Sequence, residues 1–278
     1  MKHVRMDAWT QSVDQWSFWL RAAERATGTV KLRVYHVMTF ARSTRTAAPS
    51  DVTEHDVIRY LTASDWSAST RRSHRASISQ FFRWAITRGL AEHDPTAGLL
   101  PIKRTRTLPR PAPDDVILAA LHAADTRVRL MLLFACEAGL RRGEIARIHS
   151  GDLIGPKGDS SVRVHGKGRK QRVVPLTERL RIELLQAGLS TGWLFPSPRR
   201  EGPIGAIRVG ELVSAALPNP WTCHSLRHRF ATTAYRNSRD LLLVQTLLGH
   251  SKPETTALYV HVDTSSAREI VERGTIAA

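Results

Sequence analysis

A mainly α protein, with a helical first domain and a mixed, mostly helical second domain carrying a small antiparallel β-sheet, is predicted by three observations. Apolar residues return at three- and four-residue steps through the first third of the chain and again through most of the rest. A short stretch around SSVRVHG and RKQRVVPL alternates apolar and polar residues about glycine turns. Between helical halves lies a segment rich in proline and basic residues, with no apolar periodicity.

Residues 1–98 read as a helical bundle. Trp9, Val13, Trp16 and Leu20 form one apolar stripe, and Ile78, Phe81, Phe82, Ala85 and Ile86 form a later one. Pro49-Ser50-Asp51 and the stretch from Asp65 to Thr70 read as breaks with N-caps, because their side-chain oxygens can accept from the free amides of a helix start. Arg71, Arg72, His74, Arg75 and Arg83 make one face of SASTRRSHRASISQFFRWAITRG basic, either as a solvated face or as one that meets DNA. Residues 99–113 read as an interdomain linker whose Lys103, Arg104 and Arg106 suit a strap along phosphates as well as a soluble tether.

The second domain spans 114–278. Helices are expected over VILAALHAA and VRLMLLFACEAGL, with Gly139 as C-cap of the second. SGDLIG, SSVRVHG and RKQRVVPL should pair as three antiparallel strands, placing Lys167 in the Gly166-Lys167-Gly168 turn. Helices are then expected over His224 to Tyr235, Leu241 to Leu248, Pro253 to about Tyr259, and Thr264 to Gly274, the last suited to docking on a neighbouring copy.

Charge points to a polyanionic partner. Lysine and arginine number 41 against 25 acidic residues, a net charge of +16, which favours nucleic acid among common polyanions. No apolar run approaches a membrane span and the N-terminus carries no signal-like stretch, so a cytoplasmic protein is expected. Cys136 and Cys223 lack metal-ligand spacing and read as reduced, buried thiols.

Four local patterns carry the chemistry: AGLRRGEIARI, GKGRKQRVVPL, HSLRHRFATT and LLGHSKPETTALYVHV. Arg141 gains weight from Glu144 three positions on, a carboxylate able to orient a guanidinium for bidentate phosphate contact. Lys167 is either a basic hairpin tip or a proton donor carried on a flexible turn. Arg169, Lys170 and Arg172 suit phosphate steering or solvation better than catalysis. Arg227 and His228 lie three and four residues beyond His224 on one helix face. His224 and His228 have the spacing of a zinc pair, but the motif lacks the glutamate of H-E-x-x-H and sets Arg227 beside any cation, so no metal site is expected. Tyr259 alone would be an ordinary aromatic. In the company of His250 and the three basic segments it becomes a phenol with the neighbours a nucleophile needs.

In this ordered set the chain resembles the tyrosine recombinases of the phage integrase family, in the short, Xer-like form without an arm-binding domain. Arg141, Lys167, His224, Arg227, His250 and Tyr259 match that family's catalytic positions, and Glu144 stands at the acidic position after the first arginine. The resemblance implies a core-type DNA-binding domain followed by a catalytic domain, and site-specific recombination through a 3′-phosphotyrosyl link and a Holliday junction. It implies no cofactor, because the bond energy is kept in the protein–DNA link. Implied partners are double-stranded DNA with attachment-type core sites and further copies of the chain in a tetramer on DNA, with room for directionality or host factors. A phage or mobile-element integrase is the expected role. A host Xer-type resolvase, type IB topoisomerase-like DNA relaxation and a binding-only protein with a relic site stay open beside it.

Overall fold

The structure, a computed structural model, describes residues 2–63, 65–103, 108–155, 160–166, 170–188 and 191–249. The chain divides into two compact units, Met1–Arg106 and Thr107–Ala278, a boundary inside the 99–113 stretch. It is mainly α with one small antiparallel sheet.

The first unit holds α1 (Lys2–Ala22), α2 (Thr27–Ser43), α3 (Glu54–Thr62) and α4 (Ala68–Thr87). Helices α1, α2 and α4 pack on one another, and α3 packs on α4. The apolar stripes meet in an aromatic core: Trp9, Trp16, Phe40, Phe81 and Phe82 are buried, with Trp9 and Phe81 stacked at 5.8 Å and Trp16 edge-on to Phe81 at 5.4 Å. Ile86 departs from its expected stripe: it lies near the end of α4 and is exposed. The second expected break carries its cap within the stretch, whereas residues 49–51 form a short 3-10 turn and the cap of α3 falls two residues later, at Thr53. Thr53 and Asp56 cap α3 reciprocally, and the Ser67 hydroxyl accepts from the Thr70 amide at the start of α4.

Two buried imidazoles sit between α2 and α4, and one of them, His74, expected on the basic face of its helix, turns into the core. The rings of His36 and His74 are 3.9 Å apart; His74 bonds the Tyr60 hydroxyl at 2.8 Å, His36 bonds Ser77 at 2.9 Å, and Trp66 stacks on His74. Burial holds both imidazoles below their ordinary value, with Arg33 adding to the effect on His36 and His36 to that on His74, which falls to about 4. Because these folded-state values lie below the unfolded value of about 6.5, the stabilisation is complete above that pH and is lost as pH falls from there towards 4. Melting temperature should therefore drop by several degrees between pH 7 and 5, and His74→Phe should flatten that dependence. An equally steep fall in the variant would exclude the pair as its cause.

The second unit is built around α6 (Thr126–Cys136), against which α5 (Asp114–Ala123), α7 (Arg142–Ile145), α8 (Glu178–Gln186), α9 (Ala206–Ala215) and α10 (Cys223–Ser238) pack. Met131, Leu132, Leu133, Phe134 and Ala135 are all buried, so beyond its first turn α6 is apolar on every side, as a central helix must be. Beside it lies the sheet β1 (Leu153–Ile154), β2 (Ser161–His165) and β3 (Gln171–Pro175), antiparallel in that order with Val164 opposite Arg172. Helix α11 (Leu241–Leu248) packs on α10 and β3. Gly139 is not the C-cap of α6. Glu137 caps the helix, and Gly139 turns the chain two residues later at φ +63°, where a Cβ would stand 2.3 Å from the Phe230 ring. The helices expected over 253–259 and 264–274 lie outside the described residues.

Candidate active site

The turn after α6 places Arg141 immediately before α7, with Glu144 one helical turn on. Glu144 gathers three arginines from three elements. Its Oε2 accepts the Arg141 amide at 2.9 Å and its Oε1 accepts Arg141 Nη1 at 2.8 Å. From β3, Arg172 grips both oxygens in a fork, at 3.0 and 2.8 Å. From α10, Arg227 Nη1 stands 3.7 Å from Oε2. Burial pushes the Glu144 carboxyl up, but the Arg172 hydrogen bonds and charge and the Arg141 contacts outweigh it and hold the group down at about 2. One carboxylate against three guanidiniums leaves two positive charges in surplus. Arg141 presents that surplus to solvent: its side chain is 44% exposed, against 9% for Arg172 and 2% for Arg227.

Arg227 is thus buried rather than held open. It donates to the carbonyls of Gly139 and, at 2.7 Å, Leu248. His224 lies in the first turn of α10, exposed, its ring 4.1 Å from that of His228. Although the residue reaches solvent, the partial enclosure of its ring by the protein lowers its proton affinity, and Arg227 and Arg141 lower it further, so at neutral pH His224 is a neutral imidazole able to take a proton. Burial, His224 and Arg227 bring His228 down to about 4. The described part of the site thus brings together a fixed guanidinium cluster and a neutral imidazole, groups that can neutralise a phosphate and move a proton. Lys167, His250 and Tyr259 lie outside the described residues, although His250 follows Gly249 at the end of α11 directly in sequence.

Residues 113–266 match the phage integrase family. The chain belongs to that family. It is a tyrosine recombinase, a DNA strand-transferring enzyme. Tyrosine recombinase XerC of Rhodospirillum centenum is 33% identical over 298 residues, covering 94% of this chain and 86% of the relative. In fold, the tyrosine recombinase resembles a lambda integrase(75-356) dimer bound to a COC' core site, with TM-score 0.73 at 19% identity over 90% of this chain and 94% of that one. It also resembles a lambda integrase tetramer bound to a Holliday junction, with TM-score 0.71 at 20% identity over 88% and 77%.

The residues expected to face DNA in this recombinase have divergent placements. Arg83 is exposed, bonded to Ser79 and 3.8 Å from Asp94, and Lys170 and Lys103 are exposed. Arg71 is half-buried. Arg72 donates to the Lys103 carbonyl at 2.8 Å, while Arg75 donates to those of Leu99 and Leu100 at 2.6 and 2.7 Å. These two hold the first part of the expected linker against α4. Arg172 departs from its expected role: it is neither solvated nor aimed at phosphate, because its fork is committed to Glu144 and its Nε to the Leu247 carbonyl. Arg104, Arg106 and Arg169 lie outside the described residues.

Some of the architecture around the site has no counterpart in the sequence reading. His165, the last residue of β2 before Gly166, bonds Asp152 at 2.7 Å, and Asp152 also accepts the His149 amide, so the base of the Lys167 hairpin is tied to the turn before β1. Cys136 and Cys223 are free and buried, and burial raises their thiols to about 12 and 11. Among the described residues no three histidine, cysteine or acidic side chains gather as a metal site, and no helix is long and apolar enough to cross a membrane.

Proposed function

We propose that this tyrosine recombinase is a site-specific enzyme of the Xer resolvase type, acting on double-stranded DNA with Tyr259 as nucleophile. The observation that carries the type is the reach of the likeness to XerC, which spans 94% of the chain and so includes the helical first unit as well as the catalytic one. In this reading the Tyr259 oxygen attacks a scissile phosphate, the bond to the 5′-oxygen breaks, and a 3′-phosphotyrosyl link and a free 5′-hydroxyl result. Arg141 meets the non-bridging oxygens with a guanidinium already oriented by Glu144, and Arg227 adds its charge from beneath. His250 donates a further hydrogen bond there. Lys167 delivers the proton to the leaving 5′-oxygen, and neutral His224 assists proton transfer at the phenol. The partner strand's 5′-hydroxyl then attacks the link, reversing the chemistry on new DNA without a cofactor.

Residues 1–98 would act as the core-type DNA-binding domain, 99–113 as the linker and 114–278 as the catalytic domain. Four copies would assemble on paired core sites, as in the lambda integrase tetramer on its Holliday junction. Arg83, Lys103 and Lys170 are the exposed candidates for phosphate contact. A cytoplasmic location in a bacterial cell fits this role. A phage or mobile-element integrase is the second reading, and the family match over 113–266 is shared by both.

The test starts from a DNA site recovered by the protein from its source genome. On a nicked suicide substrate of that site, whose short 5′ fragment diffuses away, wild-type protein should accumulate covalently linked to DNA. Two identical copies of the site on one plasmid should then be resolved. Excision only between two dissimilar sites would favour the integrase. Absence of a covalent product on a proven site would remove the recombinase mechanism altogether, and relaxation of plasmids lacking the site would point to topoisomerase-like action.

A further inference from the structure

Three consecutive carbonyls at the end of α11 each receive one of the three clustered arginines. Arg172 Nε donates to Leu247 at 2.7 Å, Arg227 Nη2 to Leu248 at 2.7 Å and Arg141 Nη2 to Gly249 at 3.5 Å. The last carbonyls of a helix have no donors of their own and carry the negative end of its dipole, so cations are favoured there. The guanidiniums that converge on Glu144 therefore also cap α11, the helix that leads into His250.

Arg172 has a different place from the other two. It alone holds both Glu144 oxygens in a fork, and it comes from β3, whose hairpin with β2 carries Lys167. Packing around it is close. A Cβ on Gly249 would stand 3.0 Å from Arg172 Nη1 and 3.1 Å from its Cδ, at a φ of +62° that already favours glycine.

We infer that Arg172 is a positioning residue of strand transfer: its buried fork fixes Glu144, and through it Arg141, in register with the end of α11 that leads to His250. This rests on the reading of the pocket as the recombination site. Arg172 acts through other residues, because a side chain with its fork on Glu144 and its Nε on Leu247 has little left to offer a phosphate. Without it, Glu144 keeps only Arg141 and the more distant Arg227. Burial then raises the carboxyl with less to oppose it, and protonation loosens Arg141.

Full-length Arg172→Met and Arg172→Lys would be compared with wild type in single-turnover cleavage of the nicked substrate across a range of pH, with binding measured separately and rates taken per folded molecule. Cleavage by Arg172→Met should slow on the order of 100-fold, the scale of a small misplacement of a reacting group. Arg172→Lys should not rescue it, because an ammonium cannot bridge two carboxylate oxygens as the fork does. DNA affinity should stay within about twofold, since phosphate contacts elsewhere dominate it. The acidic limb of the pH–rate profile should move upward in Arg172→Met, and adding Glu144→Gln should abolish that shift. If Arg172→Met does not fold, Arg172→Lys, which keeps the stem and the charge, carries the same comparison. Affinity falling as far as rate would make Arg172 a DNA contact and overturn the inference. So would an unchanged rate and pH profile, which would leave the residue a structural role only. Failure of wild type itself to form a covalent complex would sink the recombination reading, whereas success of wild type with indifferent variants would sink only the role of Arg172.

Discussion

Tyr259→Phe is expected to form no covalent complex with DNA while binding its site as tightly as wild type. The substitution removes one oxygen from a side chain whose only proposed task is attack. With a reference pKa of about 10, a phenol is almost wholly protonated at neutral pH, so it becomes a nucleophile only beside groups that accept its proton and neutralise the phosphate. The Glu144 cluster, with two guanidinium charges in surplus, and neutral His224 are such groups. The cleavage rate should fall by more than about 10⁴-fold, the scale on which covalent enzymes lose activity with their nucleophile. Tyr35, exposed on α2, and Tyr235 on α10 are the controls, and their Phe variants should keep cleaving. Tyr60 is a poorer control, because its hydroxyl bonds His74 and its loss would disturb the first unit. Covalent complex from Tyr259→Phe would assign the nucleophile elsewhere.

Much of this arrangement is legible in the sequence because the local patterns are strong. Trp9, Val13, Trp16 and Leu20 recur at helical spacing and all four are buried. The alternation in SGDLIG, SSVRVHG and RKQRVVPL gives the expected three-stranded antiparallel sheet. Arg141, Glu144, His224 and Arg227, 86 residues apart at the extremes, meet in one place as their motifs imply. What local pattern cannot show is which basic residues turn inward. Arg172 follows Arg169 and Lys170 and reads with them as phosphate-steering or solvated, yet it lies two residues before Val174 on the same face of β3, the face that enters the core. An arginine at a core-face position of an alternating strand must find a carboxylate, and that is the signal. Arg72 and Arg75 mislead for a related reason. A linker without helix or sheet partners still has carbonyls that need donors, and the nearest guanidiniums supply them. The close approach of His36 to His74 depends on how α2 and α4 pack, which neither segment states alone.

The second large effect is expected at Glu144. Replacing it by alanine leaves Arg141, Arg172 and Arg227 facing one another around a buried void, with all three guanidiniums deprived of their principal counter-charge. Removing one partner of a buried ion pair typically costs about 3–5 kcal/mol, and Glu144→Ala should destabilise the second unit on that scale while abolishing cleavage. Glu144→Gln keeps the shape and one acceptor oxygen, so it should fold and bind DNA but cleave slowly. Its stability also carries a pH signature. The folded carboxyl sits near 2 against an ordinary 4.5, so the stabilisation from its ionised form is complete above pH 4.5 and is lost as pH falls towards 2. At about 1.4 kcal/mol per pKa unit that is about 3 kcal/mol, in line with the ion-pair estimate. Urea denaturation should therefore show the widest gap between wild type and Glu144→Gln at neutral pH, narrowing as pH drops below 4.5. A gap that stayed constant through that range would mean that shape, and not charge, is what Glu144 contributes, and the account of three arginines held by one carboxylate would fall with it.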